Sequence, residues 1–464
     1  VRLRAQSAPG TALQFSYLVD VDGDGALDEA DTALMQRALF TSRGFEIDPR
    51  PGYDHRADIF GKARVDQESV DALASGMARF GNMAVPAPRP ITVAWHYGWY
   101  DSRERPLLHQ TVRYLGGDYL SSDSGVETEF NRLKNEFGVT VDALGWMPHR
   151  VRASLRQNYE SGYFSASNAD TRYVALLYEN TLALPETLGR NDFRKQEVAN
   201  LLVADFEAMA RTFVEARDRH ATRIFLLSGR PVIFIFGSHQ WGLDEEDEVE
   251  QSRIGDVIGE ARDVFKSVYG VHPYLVGEEL LSLAATVQPP AGRVSRATNF
   301  DAWYSYHAGN LKTSAQPFAI NETYGGFQRR RLERVARAAE GIRNRFTGQR
   351  IMIIPNLAGG FAKHGMPTLT ATRYAYADYM RELADYYENS YLPQWPGGNV
   401  GTSLLPAPIY TVGSWNEEFE GHAIFPAEFN LAFGPAVQGG FDYVMALKQV
   451  FGWNHYSTRD ILVS

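Results

Sequence analysis

The sequence predicts an α/β protein, a (β/α)8 TIM barrel preceded by a small all-α module. Three observations carry that expectation. Beyond a proline-rich run at residues 84–90, short apolar runs alternate with long amphipathic stretches, the pattern of βα units around a parallel sheet. The runs number eight, the count a closed barrel needs. No glycine fingerprint follows the first run, as a doubly wound dinucleotide-binding sheet would require.

The elements follow in chain order. Residues 1–14 are polar and irregular, and an acidic, helical region continues to Phe80, so residues 1–83 read as one module. Ala84-Val85-Pro86-Ala87-Pro88-Arg89-Pro90 reads as a stiff linker. The barrel occupies residues 91–464. Its strand candidates are Ile91–Tyr97, Val139–Trp146, Tyr173–Tyr178, Val232–Phe236, Tyr274–Val276, Ala302–Tyr306, Ile351–Ile354 and Ile409–Val412. Each is short and rich in β-branched or aromatic residues. Val126–Phe137, Phe193–Arg217 and Arg329–Phe346 carry the helical apolar period between them.

Composition narrows the function. With 44% hydrophobic and 22% charged residues the chain can fill a core, which excludes wholesale disorder. No window approaches ~18 uninterrupted apolar residues, so no membrane span is expected. A net charge of −10 argues against nucleic acid as a partner. The absence of cysteine excludes disulfides, thiolate catalysis, thiolate zinc sites and iron–sulfur clusters. It fits a bacterial secreted or periplasmic protein. The chain begins at Val1 without a signal-peptide pattern and reads as a processed product.

The sharpest local pattern is acidic. Asp20, Asp22, Asp24, Asp28 and Asp31 stand at positions 1, 3, 5, 9 and 12 of a loop, with Gly25 at the turn and Leu27 as apolar anchor. The Ala26 carbonyl would supply position 7, so one short loop offers the oxygens that Ca2+ wants. The alternative is a solvated acidic loop. The aspartate at position 12 and the helical segment after it resemble a dockerin duplicated-loop (EF-hand-like) module. A second copy at Asp58–Ser69 carries Phe60 and Lys62 where ligands belong, so no calcium is expected there. The resemblance implies a structural calcium and a surface that could dock a protein partner.

Reacting groups of a barrel of this kind sit at the C-terminal ends of its strands. The polar and aromatic residues just beyond the runs are His96, Tyr97, Trp99 and Tyr100; Glu179; His239 and Trp241; Glu278; His307; Asn356; and Asn416 with His422. Carboxylates accept sugar hydroxyls and rings stack on sugar faces, so these are the expected contacts for a poly- or oligosaccharide. No two histidines stand four apart on a helix, so catalytic zinc is not expected and catalysis needs no cofactor. The densest cluster, Ser414-Trp415-Asn416-Glu417-Glu418-Phe419-Glu420-Gly421-His422, follows the last run. Glu417 and Glu420, three apart, would stand roughly 5–6 Å apart at Cβ in a helical turn. That spacing allows one protonated and one ionised carboxylate to flank a glycosidic bond. An exposed acidic turn is the alternative.

This cluster resembles the Asn-Glu-x-x-Glu-Gly motif of glycoside hydrolase family 99, (β/α)8 barrels that act on α-mannosides as endo-α-1,2-mannosidases and mannanases. His96-Tyr97-Gly98-Trp99-Tyr100, Leu176-Leu177-Tyr178-Glu179, Arg230-Pro231-Val232-Ile233-Phe234 and Phe300-Asp301-Ala302-Trp303-Tyr304 resemble further strand segments of that family, in the same order. The resemblance spans about residues 91–425. It implies Glu417 as the base acting on the substrate's own 2-hydroxyl, through a 1,2-anhydro sugar with net retention. It implies Glu420 as general acid/base. Glu418-Phe419 stands where family members carry Trp-His, and His422 replaces the usual Thr. These differences fall on the sugar-contacting surface and leave two other readings open: a related barrel hydrolase acting on an α-glucan or bacterial exopolysaccharide, and a non-catalytic carbohydrate-binding protein.

Overall fold

The computed structural model describes residues 90–102, 112–114, 118–184, 192–220, 222–242, 247–279, 291–306, 324–357, 360–361, 369–370, 373–392, 408–416 and 427–429. The expected N-terminal module and all of the linker but Pro90 lie outside them.

All eight anticipated strands are present. They are β1 Ile91–His96, β2 Val141–Trp146, β3 Tyr173–Glu179, β4 Arg230–Phe236, β5 Tyr274–Gly277, β6 Ala302–Trp303, β7 Met352–Ile353 and β8 Ile409–Ser414. From β1 to β7 each strand pairs parallel with the next, and β8 returns to pair with β1. The last seam, between β7 and β8, closes just past β7. Asn356 bridges Thr411, Leu357 N–H donates to Thr411 O at 2.6 Å, and Thr411 N–H donates to Pro355 O at 3.0 Å. The result is a closed parallel barrel without a free edge. Parallel strands wrapped by helices are buried on both faces. Hence β1, β2, β5 and β8 are buried at every position, and the sequence shows them as continuous apolar runs.

Helices join the strands on the outside: α1 Ser124–Glu136, α2 Ala153–Asn158, α3 Gln196–His220, α4 Glu248–Tyr269, α5 Ala291–Ala297, α6 Tyr324–Ala339 and α7 Arg373–Tyr386. Asp123 caps α1, accepting from Gly125 and Val126, and Asp247 caps α4, accepting from Val249 and Glu250. A side-chain acceptor there satisfies amides that have no partner within the helix. The sequence pattern carries α6 on to Phe346, but the helix stops at Ala339. Asn344 takes over the local amides, its Oδ1 accepting from Phe346 at 2.8 Å and Thr347 at 2.9 Å, and this turn competes with helix. None of the described helices is long and apolar enough to cross a membrane.

Two details shape the end of the barrel where the strands finish. Between β1 and β8 the register shifts, Val93 pairing with Thr411 but Trp95 with Ser414. The extra residue is accommodated near Gly413, whose φ of +84° is left-handed. Beyond β8, Ala427–Phe429 pairs antiparallel with Val112–Tyr114, from the connection after β1.

Candidate active site

The first wall of the barrel mouth comes from the connection after β1. Trp95, the last inward residue of that strand, packs inside the barrel with ring centroids 4.9 Å from Phe234, 5.2 Å from Tyr304 and 6.0 Å from Tyr306. Tyr97 stacks on Trp99, centroids 4.0 Å apart and planes 11° from parallel, and its hydroxyl meets that of Tyr306 at 2.5 Å. Close approach by β2 requires glycine: a Cβ on Gly145 would stand 2.7 Å from the Tyr97 ring. Tyr159 braces the wall from below, its hydroxyl accepting Gly98 N–H at 3.1 Å and lying 2.9 Å from the Gly145 carbonyl. Tyr97 and Tyr100 are thereby buried, while Trp99 stays partly open.

Carboxylates stand beside this wall. Glu179 ends β3 and is 4% exposed. Glu278, just after β5, is wholly buried, with Oε2 accepting Gly237 N–H at 2.7 Å and Oε1 accepting Tyr306 N–H at 3.3 Å. His239 Nδ1 stands 3.6 Å from the same Oε2. Burial, then the charges of Glu278 and Glu179, hold the Tyr304 phenol well above its ordinary range. Its hydroxyl is fully buried and makes no hydrogen bond within the described structure. A buried hydroxyl without a hydrogen-bond partner within the described structure, in the electrostatic reach of two carboxylates, suits a ligand that offers hydroxyl groups.

Other residues expected in the mouth are engaged elsewhere. His96 follows Trp95 and points the opposite way, between β1 and α1. There Nε2 meets Glu127 Oε2 at 3.1 Å and Nδ1 meets Lys134 Nζ at 3.0 Å. The same Lys134 pairs with Asp142 Oδ1 at 2.9 Å, and Asp142 Oδ2 accepts from Arg172 at 2.9 Å and Tyr163 at 2.7 Å. His96 therefore belongs to a buried ionic cluster between β1 and α1. Trp241 is also core, with Phe193 at 5.4 Å and Phe300 at 5.8 Å. Asn356 acts as a seam staple, Nδ2 donating to the Ser305 and Tyr306 carbonyls at 2.6 Å each. Asn416 ties β8 to the aromatic wall. Its Oδ1 accepts Tyr97 N–H at 2.8 Å, its Nδ2 donates to Tyr97 O at 2.9 Å, and its carbonyl accepts from the Tyr100 hydroxyl at 2.5 Å. Each of these four side chains is buried and engaged within the protein. Glu417, Glu420, His307 and His422 lie outside the described residues, as do the calcium-loop residues Asp20, Asp22, Asp24, Ala26, Asp28 and Asp31.

No protein-family model matches this chain, and no curated protein does. Solved structures are similar. A chain described as a glycoside hydrolase-like protein superposes with a TM-score of 0.50 at 12% identity, over 80% of this chain and 95% of that one. The GH99 endo-alpha-mannosidase from Bacteroides thetaiotaomicron gives a TM-score of 0.45 at 14% identity, over 78% and 95%. A GH5-4 broad specificity endoglucanase from Clostridium cellulovorans gives 0.41 at 10%, over 78% and 94%. At 12% identity the first of these is a likeness of fold.

Several mouth residues escape a reading that stops at strand ends. Tyr304 and Tyr306 fall inside an apolar run, and only their alternate spacing marks them as a pair on one face. Gly145 is signalled by a glycine within a strand. Glu279, adjacent to Glu278, turns away to a buried bidentate pair with Arg296 at 2.9 and 3.0 Å.

Proposed function

We propose that this chain is a retaining, endo-acting glycoside hydrolase for α-mannoside-type or related polysaccharide linkages. Glu420 serves as general acid/base, and Glu417 as the base at the substrate 2-hydroxyl. The observation that carries the reading is the composition of the barrel mouth: the stacked Tyr97 and Trp99, and the Glu179 and Glu278 carboxylates around the buried Tyr304 hydroxyl. Aromatic faces bind the apolar face of a pyranose, and carboxylates bind its hydroxyls directly or through a side chain that they orient. The catalytic segment begins one residue after Asn416, which is pinned to the aromatic wall, and residue 427 beyond it is paired with Tyr114.

Glu418-Phe419 departs from the Trp-His of the family motif and keeps a related α-glucan or bacterial exopolysaccharide substrate open within the same chemistry. The calcium loop is read as a structural Ca2+ site in a secreted protein, and the dockerin-like module as a surface for a protein partner. The test is product analysis on α-mannans, α-glucans and bacterial exopolysaccharides with the wild type, Glu417→Gln and Glu420→Gln. Oligosaccharides from the wild type alone support the assignment and name the substrate class. Undiminished release by either variant overturns its assigned role. Binding without release by the wild type makes the protein a carbohydrate-binding barrel.

A further inference from the structure

The mouth contains a second acid–base pair that this mechanism leaves unused. Gly237, Ser238 and His239 follow β4, while Glu278 follows β5, so the pairing of these strands sets the two segments side by side. The amides of Gly237 and Tyr306 each donate to one oxygen of Glu278, which fixes the carboxylate plane. An acceptor-only carboxylate matches those two donors. His239 Nδ1 faces the same group at 3.6 Å, and the two differ in exposure: the imidazole side chain is 29% exposed and the carboxylate 0%. The buried member can only orient its partner. The half-exposed member can meet a ligand, through Nε2 on the far edge of its ring.

We propose that His239 and Glu278 form a carboxylate–imidazole pair in which His239 donates Nε2–H to a sugar hydroxyl and Glu278 is its positioning residue. The nature of the ligand rests on the glycosidase reading; the pairing does not. Among the described residues, the charged groups acting on His239 are Glu278, Glu279 and Arg296. Burial opposes a charge on the ring, but Glu278 and then Glu279 outweigh it and raise His239 above the ordinary imidazole range. Arg296 acts in the opposite sense, and Glu279 engages it at both oxygens. The protonated ring gives a charge-assisted bond to the ligand. When the ring loses its proton the ion pair with Glu278 is lost, and so is the charge that strengthens the Nε2–H bond to the ligand. Affinity for the sugar therefore falls as pH rises through the folded-state value of His239.

The test uses the intact chain labelled with 15N-histidine, the His239 signal being the one missing from His239→Gln. In the wild type its titration midpoint should lie above ~6.5, and in Glu278→Gln it should fall toward that value. Glu278→Asp, which keeps the charge but withdraws it, should also lower the midpoint and serves if Glu278→Gln does not fold. An unchanged midpoint in a folded Glu278 variant overturns the pair. Calorimetry with α-1,2-linked mannotriose at about pH 5.5 and 8 tests the contact. The wild type should lose roughly tenfold in affinity across that range and His239→Gln should be flat, as a hydrogen bond to a charged group implies. Parallel pH dependence in the two proteins overturns the ligand contact even if the pair stands. Silence of the wild type at both pH values sinks the mannoside reading, and the titration then decides the pair alone.

Discussion

Replacing Lys134 by methionine keeps most of the side-chain length and removes one charge from the cluster beneath β1. In the native protein Lys134 and Arg172 balance Glu127 and Asp142, with His96 between them, and none is more than 1% exposed. Asp142 loses its 2.9 Å contact with the lysine but keeps Arg172 and the Tyr163 hydroxyl. One carboxylate more than the remaining cation can balance is left away from water. Breaking a buried pair in this way costs about 3–5 kcal/mol. Removing the surplus charge as well, in Lys134→Met/Glu127→Gln, should restore at least about 1 kcal/mol, because the two sites share one network. Equilibrium urea unfolding followed by tryptophan fluorescence measures both variants, and Lys134 Nζ lies 5.4 Å from the Trp415 ring, a nearby reporter. The pH dependence adds a second check. Burial alone would raise the Asp142 carboxyl, but Arg172 and Lys134 override it and hold it well below the ordinary range. The unfolded chain then binds the proton more readily, so this contribution is complete above about pH 4 and drains away as pH falls toward the folded-state value. Without Lys134 the acid transition should move upward. A Lys134→Met protein within about 1 kcal/mol of wild type, or a double variant less stable than the single, would refute the charge-balance reasoning.

Two further outcomes follow from other parts of the molecule. Gly145→Ala places a methyl 2.7 Å from the Tyr97 ring, so overpacking should cost about 1–3 kcal/mol in the same unfolding assay and weaken saccharide binding by displacing the Tyr97–Trp99 wall; unchanged affinity in the folded variant would detach that wall from the ligand. Calcium at a thousand times its dissociation constant should stabilise the module holding Asp20–Asp31 by about 4 kcal/mol, seen in calorimetry as a melting transition that EDTA lowers and Asp20→Ala abolishes, whereas absence of binding heat for Ca2+ would remove the loop from the reading.

The eight strands were legible because parallel strands under helices are buried on both faces, and two-sided burial is written in sequence as short continuous runs of Val, Ile, Leu and aromatic residues. Strand order followed from chain order, since each βα unit places the next strand beside the last. The mouth was legible as a list of residues past strand ends, and Tyr97, Trp99, Glu179, His239 and Glu278 do gather there. His96 and Trp241 could not be told from them. One position decides whether a strand-end side chain enters the barrel or the helix layer, and the sequence near His96 has no mark for that phase. Arg296 lies 17 residues from Glu279 and Asp142 lies eight from Lys134, so neither pairing shows as a local motif.

By itself, then, the sequence determined the barrel, its eight strands and the chemical character of its mouth, because these depend on local apolar period and on residue type. Only the tertiary structure decided which polar groups are held in buried pairs and seams and which gather at the barrel mouth. Asn416 and Tyr97 exchange two hydrogen bonds across 319 residues, and Tyr97 meets Tyr306 across 209. Such contacts exist only once the last strand has closed against the first. They record the geometry of closure, to which the pattern of neighbouring residues is blind.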